Sequence, residues 1–165
     1  MATQEGPQLV TTGLVFLVDA GDTNSYRHSG SRCNDVISNT TGTLTNFGPQ
    51  SFFSTTNVGN FIFDGTNDYI NFGTGLAQTG NWTVGAFVKT NSPANAATII
   101  GRTGDSGTGY LKNYELYFYN NKGYIAAAVS TGPTAYASTL TVTSIAQSTW
   151  YYLTGVYNSS DGKLY

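Results

Sequence analysis

Charge is what this chain has least of. Seven lysines and arginines and nine aspartates and glutamates stand among 165 residues, 10% charged against roughly 25% in an average soluble domain. With a net charge of −2 there is no positive field to collect phosphates, which argues against nucleic-acid binding driven by counterion release and against attraction to an anionic membrane. The single cysteine, Cys33, excludes an intrachain disulfide, and with His28 as the one histidine the ligands for a closed zinc site are missing. No run approaches the roughly 20 apolar residues of a membrane-spanning helix, so no membrane insertion is expected. The start Met1-Ala2-Thr3-Gln4-Glu5 lacks the cationic opening of a secretory signal, and synthesis in a cytoplasm is the expectation.

Helical periodicity is scarce too, while aromatics reach 14% with 12 tyrosines, and glycine fills 20 positions. Abundant Thr, Val, Ile, Tyr and Phe in short runs predicts an all-β chain. Leu14 to Val18, closed by Asp19-Ala20-Gly21-Asp22, reads as a buried strand ending in a turn. Phe61 to Phe63 and Tyr69 to Phe72 read as strands joined by the turn Asp64-Gly65-Thr66-Asn67-Asp68. Trp82 to Lys89 alternates, with Trp82, Val84, Ala86 and Val88 on one face and Thr83, Gly85, Phe87 and Lys89 on the other. Further strands are predicted at Ala97 to Gly101, Tyr114 to Tyr119, Tyr124 to Val129 and Trp150 to Tyr157, with Asn120-Asn121-Lys122-Gly123 as a hairpin turn. Residues 21–60 read as loops with one or two short strands. After Trp150 to Tyr157 the chain turns into only Lys163-Leu164-Tyr165, leaving that strand exposed along one edge, so the domain is expected to be incomplete at its C-terminal end.

Three stretches together carry a family resemblance: Phe63-Asp64-Gly65-Thr66-Asn67-Asp68-Tyr69-Ile70, Asn81-Trp82-Thr83-Val84, and Trp150-Tyr151-Tyr152-Leu153-Thr154-Gly155-Val156-Tyr157 before an Asp-Gly turn. Their order resembles the laminin-G-like branch of the concanavalin A-like jelly rolls, over about residues 9 to 165. Gly13-Leu14-Val15 through Asp19-Ala20-Gly21, with Asp35 to Gly42-Thr43-Leu44-Thr45-Asn46, resembles the leader of such domains in virion proteins of tailed bacteriophages, cyanophages especially. Cys33 departs from the aromatic common at that place in the leader. The resemblance implies two antiparallel sheets packed face to face, a jelly-roll sandwich over residues 14–165 behind an N-terminal arm of residues 1–13.

Enzymes on such sandwiches cut glycans with paired carboxylates about 5 Å apart. The two glutamates here are Glu5 and Glu115, and Glu115 has no acidic neighbour two or four positions away. No catalytic residue is therefore predicted. His28, near Cys33 and Asp35, reads as a solvated loop residue rather than half of a Cys-His nucleophile. Asp64, Asn67 and Asp68, or Asp19 and Asp22, have the oxygens calcium prefers, and related domains often hold one calcium at the rim. Turn capping explains these residues without an ion, so neither metal nor cofactor is predicted. Trp82 and Trp150 are expected in the core, while Tyr110, Tyr124 and Tyr136 are the candidates for surface or glycan contact.

The expectation that follows is a structural protein of a phage virion, a capsid decoration or a tail or fibre component. Its partners are other virion proteins and copies of itself, with loops at Thr103 to Gly109 and Ser130 to Ala137 turned toward host glycans. So few charges suit a subunit held among neighbours better than a free monomer. The alternative is a carbohydrate-binding module of a larger secreted or cell-surface bacterial protein.

Overall fold

The computed structural model describes residues 10–48, 52–93, 95–105, 110–128 and 136–165, without the side chains of residues 103–105, 110–112, 128 and 136–143. They fall into two compact units that divide between Gly75 and Leu76. Every described sheet pairing is antiparallel, and no α-helix occurs among the described residues. The expected all-β class of antiparallel sheets is what these residues form, with the two-sheet sandwich in the second unit.

In the first unit, β1 (Arg32–Asn34), β2 (Thr41–Thr45) and β5 (Tyr69–Asn71) form one sheet in the order β1-β2-β5. Strands β3 (Phe53–Ser54) and β4 (Asn60–Phe61) form a hairpin. Period-two alternation turns Cys33 and Leu44 inward, where they join Tyr26 in a core lined by Phe47, Phe52, Phe53, Phe61, Ile70 and Phe72. The Phe72 ring occupies the space beside Gly42 that a Cβ would need, 2.5 Å from that position.

Leu14 to Val18 forms no strand in this structure. The expectation fails because Asp35 supplies the partner that a neighbouring strand would have given. The Leu17 N–H donates to Asp35 Oδ1 at 2.8 Å, and the Leu17 carbonyl accepts from the Val36 N–H at 2.9 Å. A side chain thus satisfies the backbone in place of a ladder.

The second unit is a two-sheet sandwich. One sheet has the order β10-β9-β8-β7, from β7 (Ala97–Asp105), β8 (Tyr110–Tyr119), β9 (Lys122–Ala128) and β10 (Tyr136–Ser144). The other has the order β12-β11-β6, from β6 (Trp82–Lys89), β11 (Trp150–Asn158) and β12 (Lys163–Leu164). Between them lie Trp82, Tyr114, Leu116, Phe118, Ile125 and Leu153, flanked by Val84, Ala86 and Val88. A large apolar side chain buried this way contributes on the order of 1.5–3 kcal/mol. Asn120 and Asn121 take φ of 50° and 61°, which closes the β8–β9 hairpin as a two-residue turn between the paired Tyr119 and Lys122. In β7 the register slips between Thr98 and Ile100, and the extra residue lets Ile99 and Ile100 both pack against the core.

Two expected loops are corrected. Thr103–Asp105 belongs to β7, and Tyr136 and Ala137 open β10, a strand that the Ser- and Thr-rich stretch 136–144 did not announce. Residues 106–109 and 130–135 of those loops lie outside the described residues, as does Val129 of the predicted strand Tyr124 to Val129.

Candidate binding face

The outer face of the β12-β11-β6 sheet carries large rings where a solvent-facing strand ordinarily carries polar groups. Register pairs Trp150 with Lys89, Tyr152 with Phe87, Thr154 with Gly85 and Val156 with Thr83. All eight positions belong to the parity that points away from the core, since Tyr151, Leu153, Gly155 and Tyr157 point inward. Phe87 is 76% exposed, Tyr152 59% and Trp150 39%. The Phe87 and Tyr152 rings meet at 4.8 Å between centroids and 44° between planes, and Lys89 Nζ stands 5.4 Å from the centre of the Trp150 ring. An ammonium over an indole face is held by the ring quadrupole.

Gly85 explains how the Tyr152 ring lies. A Cβ at Gly85 would come within 2.6 Å of Tyr152 Oη and 3.0 Å of Cζ, so the ring reclines over bare backbone. Tyr165 extends the row across the sheet. Its backbone exchanges both hydrogen bonds with Val156 at 2.9 Å, and its hydroxyl donates to Asp161 Oδ2 at 3.0 Å. That bond raises the Tyr165 hydroxyl above the usual phenol range.

Trp150 is a correction. The alternation of the sequence predicts it in the core with Trp82. Trp82 is buried, whereas Trp150 sits opposite the outward Lys89. The run Trp150-Tyr151-Tyr152 has rings on both faces and hides the alternation, which is legible only when counted back from Leu153 and Gly155.

The other sheet also has an aromatic outer face. Tyr124, half-buried, stacks on Tyr117 across the β8–β9 ladder at 5.2 Å and 18°. On the same face Glu115 is 6% exposed, sits in register between Gly101 and Ala126, and accepts the Thr98 hydroxyl at 2.5 Å. Tyr110 pairs with Asp105, and it lies seven residues along β8 from Tyr117, about 23 Å of strand. Tyr136 pairs with Ala128, four residues along β9 from Tyr124, about 13 Å. The three candidate tyrosines therefore do not converge, and the side chains of Tyr110 and Tyr136 lie outside the described residues.

A family model described as the concanavalin A-like lectin/glucanases superfamily matches residues 64–165. The chain belongs to that superfamily. A search of the curated proteins and one of the solved structures each find no match.

Within this lectin/glucanases sandwich the match includes both outer faces, as well as the turn from Asp64 to Asp68. Asp64 Oδ1 accepts the N–H groups of Thr66 and Asn67, and Asp68 Oδ2 accepts that of Asp64. Asp19 and Asp22 likewise accept the N–H groups of Gly21 and Asn24. Asp68 Oδ1 is buried without a hydrogen-bond partner, yet among the described residues no three His, Cys, Asp or Glu side chains come together. With Asp64 Oδ1, Asp68 Oδ2, Asp19 Oδ1 and Asp22 Oδ1 committed to their own turns, either cluster is a poor fit to the six or more oxygens that calcium takes.

His28 stacks on Phe53 at 4.4 Å and 16°. Cys33 is 1% exposed, and burial pushes its thiol up to about 11. A thiol in that range is not the thiolate a cysteine nucleophile requires. Asp35 is fully buried and accepts N–H bonds from Leu17, Ile37 and Ser38 as well as the Ser38 hydroxyl. Its work is to fold residues 14–40.

Proposed function

We propose that this chain is a non-catalytic adhesion domain of a tailed-phage particle, holding saccharide on the outer face of its β12-β11-β6 sheet. The observation that carries the reading is the exposed row of Phe87, Tyr152 and Trp150 with Lys89 beside it. A sugar ring has an apolar C–H face and a hydroxyl edge. Flat rings with a polar tip and an adjacent ammonium match both, and the membership in a superfamily of lectins and glucanases points to the same ligand class.

The sequence around Glu115 supports a binding role over hydrolysis. Glycoside cleavage uses two carboxylates about 5 to 9.5 Å apart, and no acidic residue stands two or four positions from Glu115 along its strand. Support for the particle comes from the leader, Gly13 to Gly21 and Asp35 to Asn46, and from the scarcity of charge. A module of a larger secreted protein would use the same face at a different address, and immunogold labelling of particles separates the two.

Phe87 favours a second reading. With no polar atom and 76% exposure, it suits burial against another copy of the chain. A glycan array probed with the 165-residue chain decides between them. Saturable binding to one sugar class, lost in Tyr152→Ala, is expected. A silent array together with concentration-dependent association that Phe87→Ser abolishes would replace adhesion with packing.

A further inference from the structure

The first unit holds a concavity of about 390 Å³ that the aromatic-face reading does not use. Arg27 and Arg32, two of the chain's three arginines, line it together with Ser29, Ser31, Asn34 and Thr41. The loop that forms its wall is fixed from below. Tyr26, fully buried, donates its hydroxyl to the Gly30 carbonyl at 3.2 Å. Leu44 N–H donates to the Ser31 carbonyl at 2.8 Å, and Asn34 N–H to the Ser25 carbonyl at 2.7 Å. His28 and Gly30 turn the loop with φ of 59° and 81°, and the His28 stack on Phe53 pins its apex.

The floor comes from the outward face of the β1–β2 ladder. Arg32 and Asn34 alternate with the buried Cys33, and Asn34 pairs with Thr41. Asn34 Oδ1 accepts the Thr41 hydroxyl at 3.1 Å, which leaves the Asn34 amide N–H₂ to donate. Among the described residues neither guanidinium makes an ion pair. The closest carboxylates in sequence do not compensate them, because Asp35 is committed to Leu17, Ile37 and Ser38, and Asp22 to Asn24. Two unpaired arginines on one hydroxyl-lined concavity, in a chain of net charge −2, form a local positive site.

We propose that this concavity binds an acidic sugar, with the carboxylate of a uronate or the sulfate of a sulfated sugar between Arg27 and Arg32. The ring hydroxyls then meet Ser29, Ser31 and Asn34. The planar guanidinium fork matches either anion bidentately. A lining of hydroxyls and an amide suits a polyhydroxylated ligand, and none of the lining residues is aliphatic or aromatic. This site is built from residues of the first unit alone and shares none with the aromatic face.

The test is isothermal titration of the full chain with glucuronate, galactose 6-sulfate, uncharged glucose and galactose, inorganic sulfate and a tetra-aspartate peptide. Arg27→Gln, Arg32→Gln and Tyr152→Ala serve as variants. Both arginines are exposed, so the glutamine variants keep the fold, and circular dichroism checks that. At least one acidic sugar is expected to bind, more weakly at higher salt, and the uronate and sulfate arms identify which anion is read. Each Arg→Gln change lowers that affinity about tenfold, and Tyr152→Ala leaves it unchanged. The proposal is overturned if no acidic sugar binds, if the uncharged sugars bind as well, or if the glutamine variants bind normally. Equal or tighter binding of inorganic sulfate or tetra-aspartate overturns it as well, since the hydroxyls would then contribute nothing.

Discussion

Gly155 faces Ile125 across the interior of the sandwich so closely that a Cβ on the glycine would stand 2.5 Å from Ile125 Cγ1 and 2.8 Å from its Cβ and Cδ1. The two sheets approach there because one residue gives up its side chain. Gly155→Ala is expected to cost about 1–3 kcal/mol by overpacking. Chemical denaturation of Gly155→Ala, Ile125→Ala and the double variant measures it. The double variant should be less destabilised than the sum of the single ones, because alanine at position 125 lacks Cγ1 and Cδ1.

Gly21 makes a second close approach, with a harder obstacle. A Cβ there would fall 1.9 Å from the Val58 carbonyl oxygen, and Gly59, at φ 112°, crosses Gly21 from the other side. Backbone cannot swing away as a side chain can. Gly21→Ala should therefore lower the melting temperature more than Gly155→Ala does, and a smaller shift would show that the 56–59 turn gives way.

Acid should weaken the first unit through Asp35. Burial alone would raise its pKa, but the bonds from the Ser38 hydroxyl and from the N–H groups of Leu17, Ile37 and Ser38 outweigh that and hold it below the usual carboxylate value. A group depressed on folding stabilises the native state above its unfolded pKa, about 3.9. That contribution fades as pH falls from about 4 through the folded value. Melting curves between pH 7 and pH 2 are expected to show the loss in the parent chain. Asp35→Asn should lose stability already at pH 7, with a flatter acid limb.

Cys33 should be silent to alkylating reagents in the folded chain. With 1% exposure and a thiol pushed up to about 11, it offers almost no accessible thiolate at pH 7.5. Iodoacetamide labelling followed by mass spectrometry is expected to modify it only after denaturant is added.

Much of the sandwich was legible in the sequence. The alternation of Trp82 to Lys89 gives β6 with its faces assigned, and Asn120-Asn121 marks the β8–β9 turn, because both signals are local. The parts that escaped depend on partners distant in sequence. Leu14 to Val18 looked like a strand until Asp35 took its N–H, and β10 carries polar residues whose pairing only β9 reveals. The outer aromatic face escaped for a related reason. Tyr152 and Phe87 are 65 positions apart in the sequence, and only register brings them together. The arginine pocket is similar: Arg27 and Arg32 read as scattered charges until Gly30 and the Tyr26 hydroxyl fold the loop between them.

The chain's two tryptophans allow the most direct test, because one is buried and one lies on the proposed saccharide face. Proton–nitrogen NMR spectra of the labelled chain, titrated with a sugar that binds on the array, follow both indole N–H signals and the backbone amides. The Trp150 indole and the amides of residues 85–89 and 150–156 should shift together while the Trp82 indole stays fixed. Shifts confined to other residues, with Trp150 unmoved at saturation, would contradict saccharide binding on that face.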